Sequence, residues 1–310
     1  MMRSISIFVA GLIALIACSN KGPDTGPRGT AVSTAAVPGA VTIGLSISTM
    51  NNPFFVALRD GAQAAAKAAG INLITVDAQN DAAKQIAGVE DLIQKKVPVL
   101  LLNPTDSDAV ANVVREATAA GIKVISLDRA VNGADVSSHI ASDNEAGGRM
   151  AAEFLLQKVG GKGNWVELEG IPGSSAARER GQGFDSAIAD KPGVKLVAKQ
   201  SASFDRAQGL TVMENILQGN KDIQAVFAQN DEMALGAERA IEEAGLKNVD
   251  IVGFDATADA VAAVKAGKLA ATVQQKPELI GKMGVDTAQL LIEGKSVDRN
   301  IPVPLALVTQ

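Results

Sequence analysis

From residue 41 onward, short apolar runs alternate with Ala-rich amphipathic stretches. The runs, rich in Val, Ile and Leu, fall at 41–48, 71–77, 99–102, 123–128, 164–169, 195–200, 225–228, 250–255 and 269–274. They are apolar on both faces, which predicts strands of a parallel sheet covered by helices on both sides. The intervening stretches fall at 53–69, 82–95, 107–120, 145–159, 175–189, 206–217, 232–244, 256–266 and 278–292. Most are long enough for three or more helical turns. Several end at a glycine, as helices do: Gly70, Gly121, Gly160, Gly219, Gly245 and Gly294. The alternation implies right-handed crossovers. A break near Ser142-Asp143-Asn144 divides the pattern into two halves, each of the size of a doubly wound lobe. No strong sequence repeat relates the halves, so they share architecture only.

The first forty residues follow another pattern. Met1-Met2-Arg3 is a short basic start, and residues 5–17 form an apolar run of signal-peptide length. The run ends Leu15-Ile16-Ala17-Cys18, which resembles the lipobox of bacterial lipoproteins. That resemblance implies a signal peptide over 1–17, cleavage before Cys18, and lipidation of the Cys18 thiol. An ordinary secretory signal with an incidental cysteine is the alternative. Residues 18–40 hold Gly22, Pro23, Gly26, Pro27, Gly29, Pro38 and Gly39 among Ser and Thr, the composition of a flexible linker. The expected location is the cell envelope, periplasmic or extracytoplasmic, with the protein held at the membrane by its lipid.

Composition narrows the chemistry. The 310 residues carry a net charge of −5 with no long Lys/Arg run, so nucleic acid is not an expected partner. One Cys and one His leave no basis for a metal site, a disulfide framework or a Cys/His nucleophile. His139 and Trp165 read as structural. Gly160-Gly161-Lys162-Gly163 lacks the spacing of a nucleotide-binding loop. No cofactor is implied.

In doubly wound sheets, ligands bind beyond the carboxyl ends of the strands. The residues there include Asn51-Asn52-Pro53-Phe54-Phe55, Asn103-Pro104-Thr105-Asp106, Asp128-Arg129, Arg178-Glu179-Arg180, Phe204-Asp205-Arg206, Gln229-Asn230-Asp231, Gly253-Phe254-Asp255 and Gln274-Gln275. Four of the eight Phe lie in these segments. Aromatic faces beside Asp, Arg, Asn and Gln suit a sugar, whose C–H faces stack while its hydroxyls donate and accept. Asp128 and Asp255 balance Arg129 and Arg180, which favours a neutral ligand. Singly, each such Phe also reads as core, and each Asp-Arg pair as an ion pair or helix cap. Asp128 and Asp255 could also form a glycosidase pair. The flanking arginines, however, are expected to keep both ionised, leaving no general acid. The protein is therefore not expected to be an enzyme.

The segments Ser48-Thr49-Met50-Asn51-Asn52-Pro53-Phe54-Phe55 and Asn103-Pro104-Thr105-Asp106-Ser107-Asp108-Ala109 resemble the bacterial ribose-binding proteins. So do Ala177-Arg178-Glu179-Arg180-Gly181 and Gln229-Asn230-Asp231-Glu232-Met233-Ala234. These are two-lobed, monomeric substrate-binding proteins that feed ATP-driven (ABC) importers, and the similarity runs from about residue 41 to 310. It implies an α/β type I periplasmic-binding-protein fold, two Rossmann-like parallel-sheet lobes joined by a three-strand hinge. Crossovers are implied near Ser142-Asp143, Gln275-Lys276 and Val303-Pro304. The N-terminal lobe is then 41–142 plus 276–303, and the C-terminal lobe 143–275 plus 304–310.

The resemblance also implies contacts. Phe54 and Phe204 would sandwich the sugar, and Phe55 and Phe254 would line the pocket. Asp128, Arg129, Arg180 and Asp255 would hold hydroxyls. Asn52, Asn103, Asn230 and Gln275 would complete the network. The sequence around Gln275 departs somewhat from the family pattern. D-Ribose is the implied ligand and an ABC permease the implied partner. Allulose, another pentose or a furanose signal is the alternative ligand, and presentation of bound sugar to a chemoreceptor the alternative role. A transcriptional regulator of the lactose-repressor type is disfavoured, because a secretory signal stands where its DNA-binding helices belong.

Overall fold

The computed structural model describes residues 39–310. The expected signal peptide, Cys18 and most of the expected linker lie outside the described residues. In chain order the first part is β1 (Thr42–Ile47), α1 (Pro53–Ala68), β2 (Asn72–Asp77), α2 (Ala82–Gln94), β3 (Val99–Leu102), α3 (Ala111–Ala119), β4 (Lys123–Leu127) and β5 (Ser138–Ser142). Next come α4 (Asn144–Lys158), β6 (Gly163–Glu169), α5 (Ser175–Ile188), β7 (Val194–Ser201), α6 (Arg206–Gly219), β8 (Ala225–Ala228), α7 (Asp231–Glu243), β9 (Asp250–Asp255), α8 (Ala258–Lys265) and β10 (Ala271–Gln274). The last are α9 (Pro277–Ile292), β11 (Asn300–Val303) and β12 (Ala306–Val308).

The strands form two sheets of the same order, β2-β1-β3-β4-β5-β11 and β7-β6-β8-β9-β10-β12. Described pairs are parallel except β10 with β12. The order reverses between β1 and β3 and between β6 and β8, so each sheet is doubly wound. The expected α/β class with two parallel-sheet lobes is therefore what the chain forms. The path enters the second sheet after β5, returns through α9 to pack on β3, β4 and β5, and leaves again after β11.

Apolar clusters fill both faces of each sheet. On the first sheet, Ile43, Leu45, Leu101 and Ile125 pack under α1 and α9, while Leu100, Leu102 and Val124 pack under α2 and α3. On the second, Trp165 is fully buried with Phe184 and Phe227 beneath α4 and α5, and Val166 and Leu168 face α6 and α7. Glycine lets α4 and α5 meet. A Cβ on Gly148 would fall 2.0 Å from the carbonyl of Arg180, and one on Gly183 would fall 2.0 Å from that of Glu145. The helix carrying Arg180 is thereby seated against its neighbour backbone to backbone.

Three strands differ from the sequence expectation, since β5, β11 and β12 lie outside the nine apolar runs. Ser138-His139-Ile140-Ala141-Ser142 and Asn300-Ile301-Pro302-Val303 are too polar and short to signal strands. They form because β4 and β5 offer partners, with Ser126↔His139 and Ile301↔Ile140 in register. The third helix begins at Ala111 rather than near 107, because Asp106 ties residues 108 and 109 into a turn first. Five of the six expected terminal glycines adopt positive φ; Gly219 instead stays inside α6.

Candidate functional site

Between the carboxyl ends of the two sheets lies a narrow pocket of about 10 Å³, room for about one water molecule. Ten of the twelve expected residues line it: Asn52, Phe54, Phe55, Asp128 and Arg129 from the first sheet, and Arg180, Phe204, Asn230, Asp255 and Gln275 from the second. Ala176 is an unforeseen addition. Two residues sit one layer back, contrary to the expectation of direct lining. Asn103 spends its amide on the Ser48 N–H, the Leu127 carbonyl and Asp128 Oδ2. Phe254 is fully buried, with the Arg180 guanidinium 3.8 Å from its ring centroid.

Local sequence explains the first wall. Asn52 caps α1 by accepting from the Phe54 N–H, and Pro53 starts the helix. Phe54 and Phe55 are thus presented from the first turn, edge to face at 5.1 Å. Asp128 and Arg129 follow β4 on one turn. Asp128 adopts φ +62, and its amide bonds the Ile140 carbonyl of β5. Arg129 donates to the Pro104 carbonyl and lies 5.0 Å from the Phe55 ring centroid and 5.3 Å from that of Phe204.

The second wall is assembled from several elements. Arg180 on α5 donates to Asn144 Oδ1 at 2.8 Å and to the Gln229 carbonyl at 2.6 Å, and its Nη1 lies 3.7 Å from Asp255 Oδ1. Asn230 caps α7 by accepting from the Met233 N–H and donates to the Phe204 carbonyl. Gln275 Nε2 donates to Asp255 Oδ1 at 2.8 Å. Gly170 leaves room for the Phe204 ring, which lies 2.0 Å from where a Cβ would be. Asp128, Phe204 and Asp255 all take positive φ, conformations that non-glycine residues adopt at a cost and that gather at functional sites.

The electrostatics are those of a desolvated site. Burial pushes Asp128 above its ordinary range despite Arg129 and Arg180 nearby. Burial likewise holds Asp255 well above its ordinary value, opposed by Arg180 and reinforced by the neighbouring Asp231. Burial lowers Arg129 to about 10. The arginines were expected to keep both carboxylates ionised; burial works against them and raises both groups, outweighing attraction at 3.7–3.8 Å. Each wall pairs one carboxyl group with one guanidinium. Among the described residues, Asp128 Oδ1, Arg129 Nε and Gln275 Oε1 are buried without hydrogen-bond partners.

Residues given no contact role in the sequence form the support: Gln85, Asn144, Gln229 and Asp231. Gln85 is fully buried on α2, donates to the Asn103 carbonyl and accepts from the Thr105 N–H. A polar amide on an otherwise apolar helix face was the available signal. Among the described residues, no cluster of three or more His, Cys, Asp or Glu could hold a metal, and no helix is long and apolar enough to cross a membrane.

Across the cleft the lobes touch directly. The Ser107 N–H donates to the Gly173 carbonyl, Ser175 N–H to Ser107 Oγ, and Ala130 N–H to Ser175 Oγ. This is a closed arrangement.

Comparison with known proteins agrees with this geometry. The model of the periplasmic binding protein domain matches residues 43–296. A ribose import binding protein of Bacillus subtilis is 50% identical over 311 residues, covering 100% of both chains. That of Escherichia coli is 52% identical over 87% of this chain and 90% of its own. Among solved structures, a Caulobacter myo-inositol binding protein bound to myo-inositol superposes with a TM-score of 0.85 at 32% identity, covering 89% of this chain and 95% of that one. A solute-binding protein from Actinobacillus succinogenes with bound D-allose gives 0.81 at 34%, covering 87% and 97%. These relatives are binding proteins rather than enzymes. The chain belongs to the periplasmic binding protein family, with the ribose import binding proteins as half-identical relatives.

Proposed function

We propose that this chain captures D-ribose between its lobes and delivers it to an ABC import permease. The carrying observation is the lining of the narrow pocket between the two sheets. That pocket is walled by Phe54, Phe55 and Phe204 and holds buried, unpartnered acceptors on Asp128 and Gln275 beside an unpartnered donor on Arg129. Such a set rejects an apolar guest and suits a small, neutral ligand rich in hydroxyls. The half-identical relatives are named for ribose import, which favours that sugar over other polyols.

In this reading Phe54 and Phe204 stack on the sugar, with Phe55 beside them. Asp128, Arg129, Arg180 and Asp255 bind hydroxyls, and Asn52, Asn230 and Gln275 complete the shell. Asn103 and Phe254 act by holding Asp128 and Arg180. The lobes, 41–142 plus 276–303 and 143–275 plus 304–310, move about the three connecting segments. Ribose stabilises the closed form by its differential affinity for it. The permease then reads the closed shape. Lipidation of Cys18 tethers the body to the membrane surface, and Cys18→Ser should release it into the soluble fraction.

Isothermal titration with D-ribose, allulose, arabinose, xylose and galactose tests the ligand. Tight one-to-one ribose binding with weak binding of the others is expected, since a site built for hydroxyls discriminates strongly against a wrong pattern. Equal binding of all five would overturn the ribose assignment. The second reading, another neutral polyol, is favoured by the solved neighbours bound to D-allose and myo-inositol. Tight binding of allulose in place of ribose would support it.

A further inference from the structure

We propose that Asp231, which does not line the cavity, is a positioning residue that holds the turn after β9 so that Asp255 faces the ligand. Asp231 opens α7 directly after the capping Asn230 and is fully buried. Its Oδ2 accepts from the Thr257 N–H at 2.7 Å, and its Oδ1 accepts from Thr272 Oγ1 at 2.6 Å. The same Thr272 hydroxyl accepts from the Ala256 N–H at 3.2 Å. Two consecutive amides beyond Asp255 are therefore tied to one carboxylate, one directly and one through Thr272.

The turn needs such a tie. Asp255 has φ +116 and Ala256 φ +58, and neither is glycine. The turn leaves the Asp255 carboxylate 3.7 Å from the Arg180 guanidinium and bonded to Gln275. β9 also makes room for the group. A Cβ on Gly253 would come 2.3 Å from Asp231 Oδ1. The chemistry asks for an acid. The Thr272 hydroxyl accepts from Ala256, so its one proton points at Asp231, and the Thr257 N–H points there too. An asparagine would turn an amide donor toward one of them. Burial raises Asp231 to about 7. The chain keeps a carboxylate there against that cost, beside a second buried carboxylate.

The inference rests on the sugar-site reading, and the test separates the two. Titration with D-ribose and thermal unfolding are measured on the full chain and on Asp231→Asn, Thr272→Val, Thr272→Ser, Asp255→Asn and the Asp231→Asn/Asp255→Asn double variant. Thr272→Val keeps shape without the hydroxyl and should bind ribose roughly tenfold or more weakly, as should Asp231→Asn. Thr272→Ser should restore binding. The double variant should bind about as Asp255→Asn alone does, because Asp231 acts through Asp255. Additive losses, or unchanged affinity in a folded Thr272→Val, would overturn the proposal. If the parent binds no ribose, the ligand assignment fails instead. Amide hydrogen exchange then carries the test without a ligand: faster exchange at Ala256 and Thr257 in Thr272→Val is expected, and unchanged exchange there overturns the positioning role.

Discussion

In the first lobe the acid and the base of the cavity wall are neighbours, Asp128 and Arg129, placed by one turn after β4. In the second they come from separate elements, Arg180 from the middle of α5 and Asp255 from the end of β9. The first pair is held through the Ile140 and Pro104 carbonyls, with Asn103 bonded to Asp128 and the Phe55 and Phe204 rings against Arg129. The second depends on a shell of side chains: Asn144, Phe254, Gln275, Asp231 and Thr272. A short-range arrangement can be fixed by a turn. One drawn from distant elements needs buried polar groups to orient each part, and every one of those must be satisfied.

The comparison breaks most visibly at the arginines. Arg180→Ala removes a guanidinium shared by Asn144, Gln229 and Asp255 and leaves a buried carboxylate facing it. A loss of roughly 3–5 kcal/mol in ribose affinity is expected. Arg129→Ala should cost less, about 2–4 kcal/mol, because its protein contacts are fewer. Titration of both variants checks the order, and a larger loss at Arg129 would contradict the contrast.

The rings come next. Phe54→Ala and Phe204→Ala should each lower affinity by about 2–4 kcal/mol through lost stacking area. Phe204 also carries an Arg129 contact from the opposite lobe, so it should lose more than Phe54. Equal binding by both variants and the parent would remove the aromatic walls from the site.

Acid should act on both walls. Burial raises Asp128 and Asp255 in the folded protein, and hydroxyls that donate to them favour the ionised form. Ribose binding should therefore release protons, and affinity should fall as pH drops through the raised values. Stability without ligand runs the other way. A carboxyl with a raised folded pKa favours the native state at lower pH, so the ligand-free protein should melt higher in mild acid than in mild base. Glu167, raised to about 7 by burial, adds to this trend, whereas His139, lowered by burial, opposes it. Titrations across that range in buffers of different ionisation enthalpy, with parallel melts, check both signs.

The smallest effect is expected at the cleft rim. Arg178 and Asp108 approach to 3.7 Å across the lobes but both are largely exposed. Arg178→Ala should change affinity by about 0–1 kcal/mol. A larger change would mean that closure leans on surface charge rather than on the buried walls.

The sequence by itself determined the alternation of strands and helices, because periodicity and apolar runs report burial directly. It also marked the chemistry. The segments holding Asn52, Asp128, Arg129, Arg180, Phe204, Asn230, Asp255 and Gln275 were legible because strand ends of a doubly wound sheet are where ligands bind, and the resemblance to ribose-binding proteins picked out those residues within them. Tertiary structure alone decided which strand ends share one cavity, and it set Asn103 and Phe254 behind it. It decided that β5, β11 and β12 exist, since their partners rather than their own residues make them strands. It decided the positive φ of Asp128 and Asp255 and the Asp231–Thr272 brace, and it set the burial that raises the carboxyl groups against the flanking arginines. The physical reason is range. Propensity and patterning act over a few neighbouring residues, whereas a hydrogen bond between α7 and β10, or the loss of water around Asp255, exists only once distant segments have closed on one another.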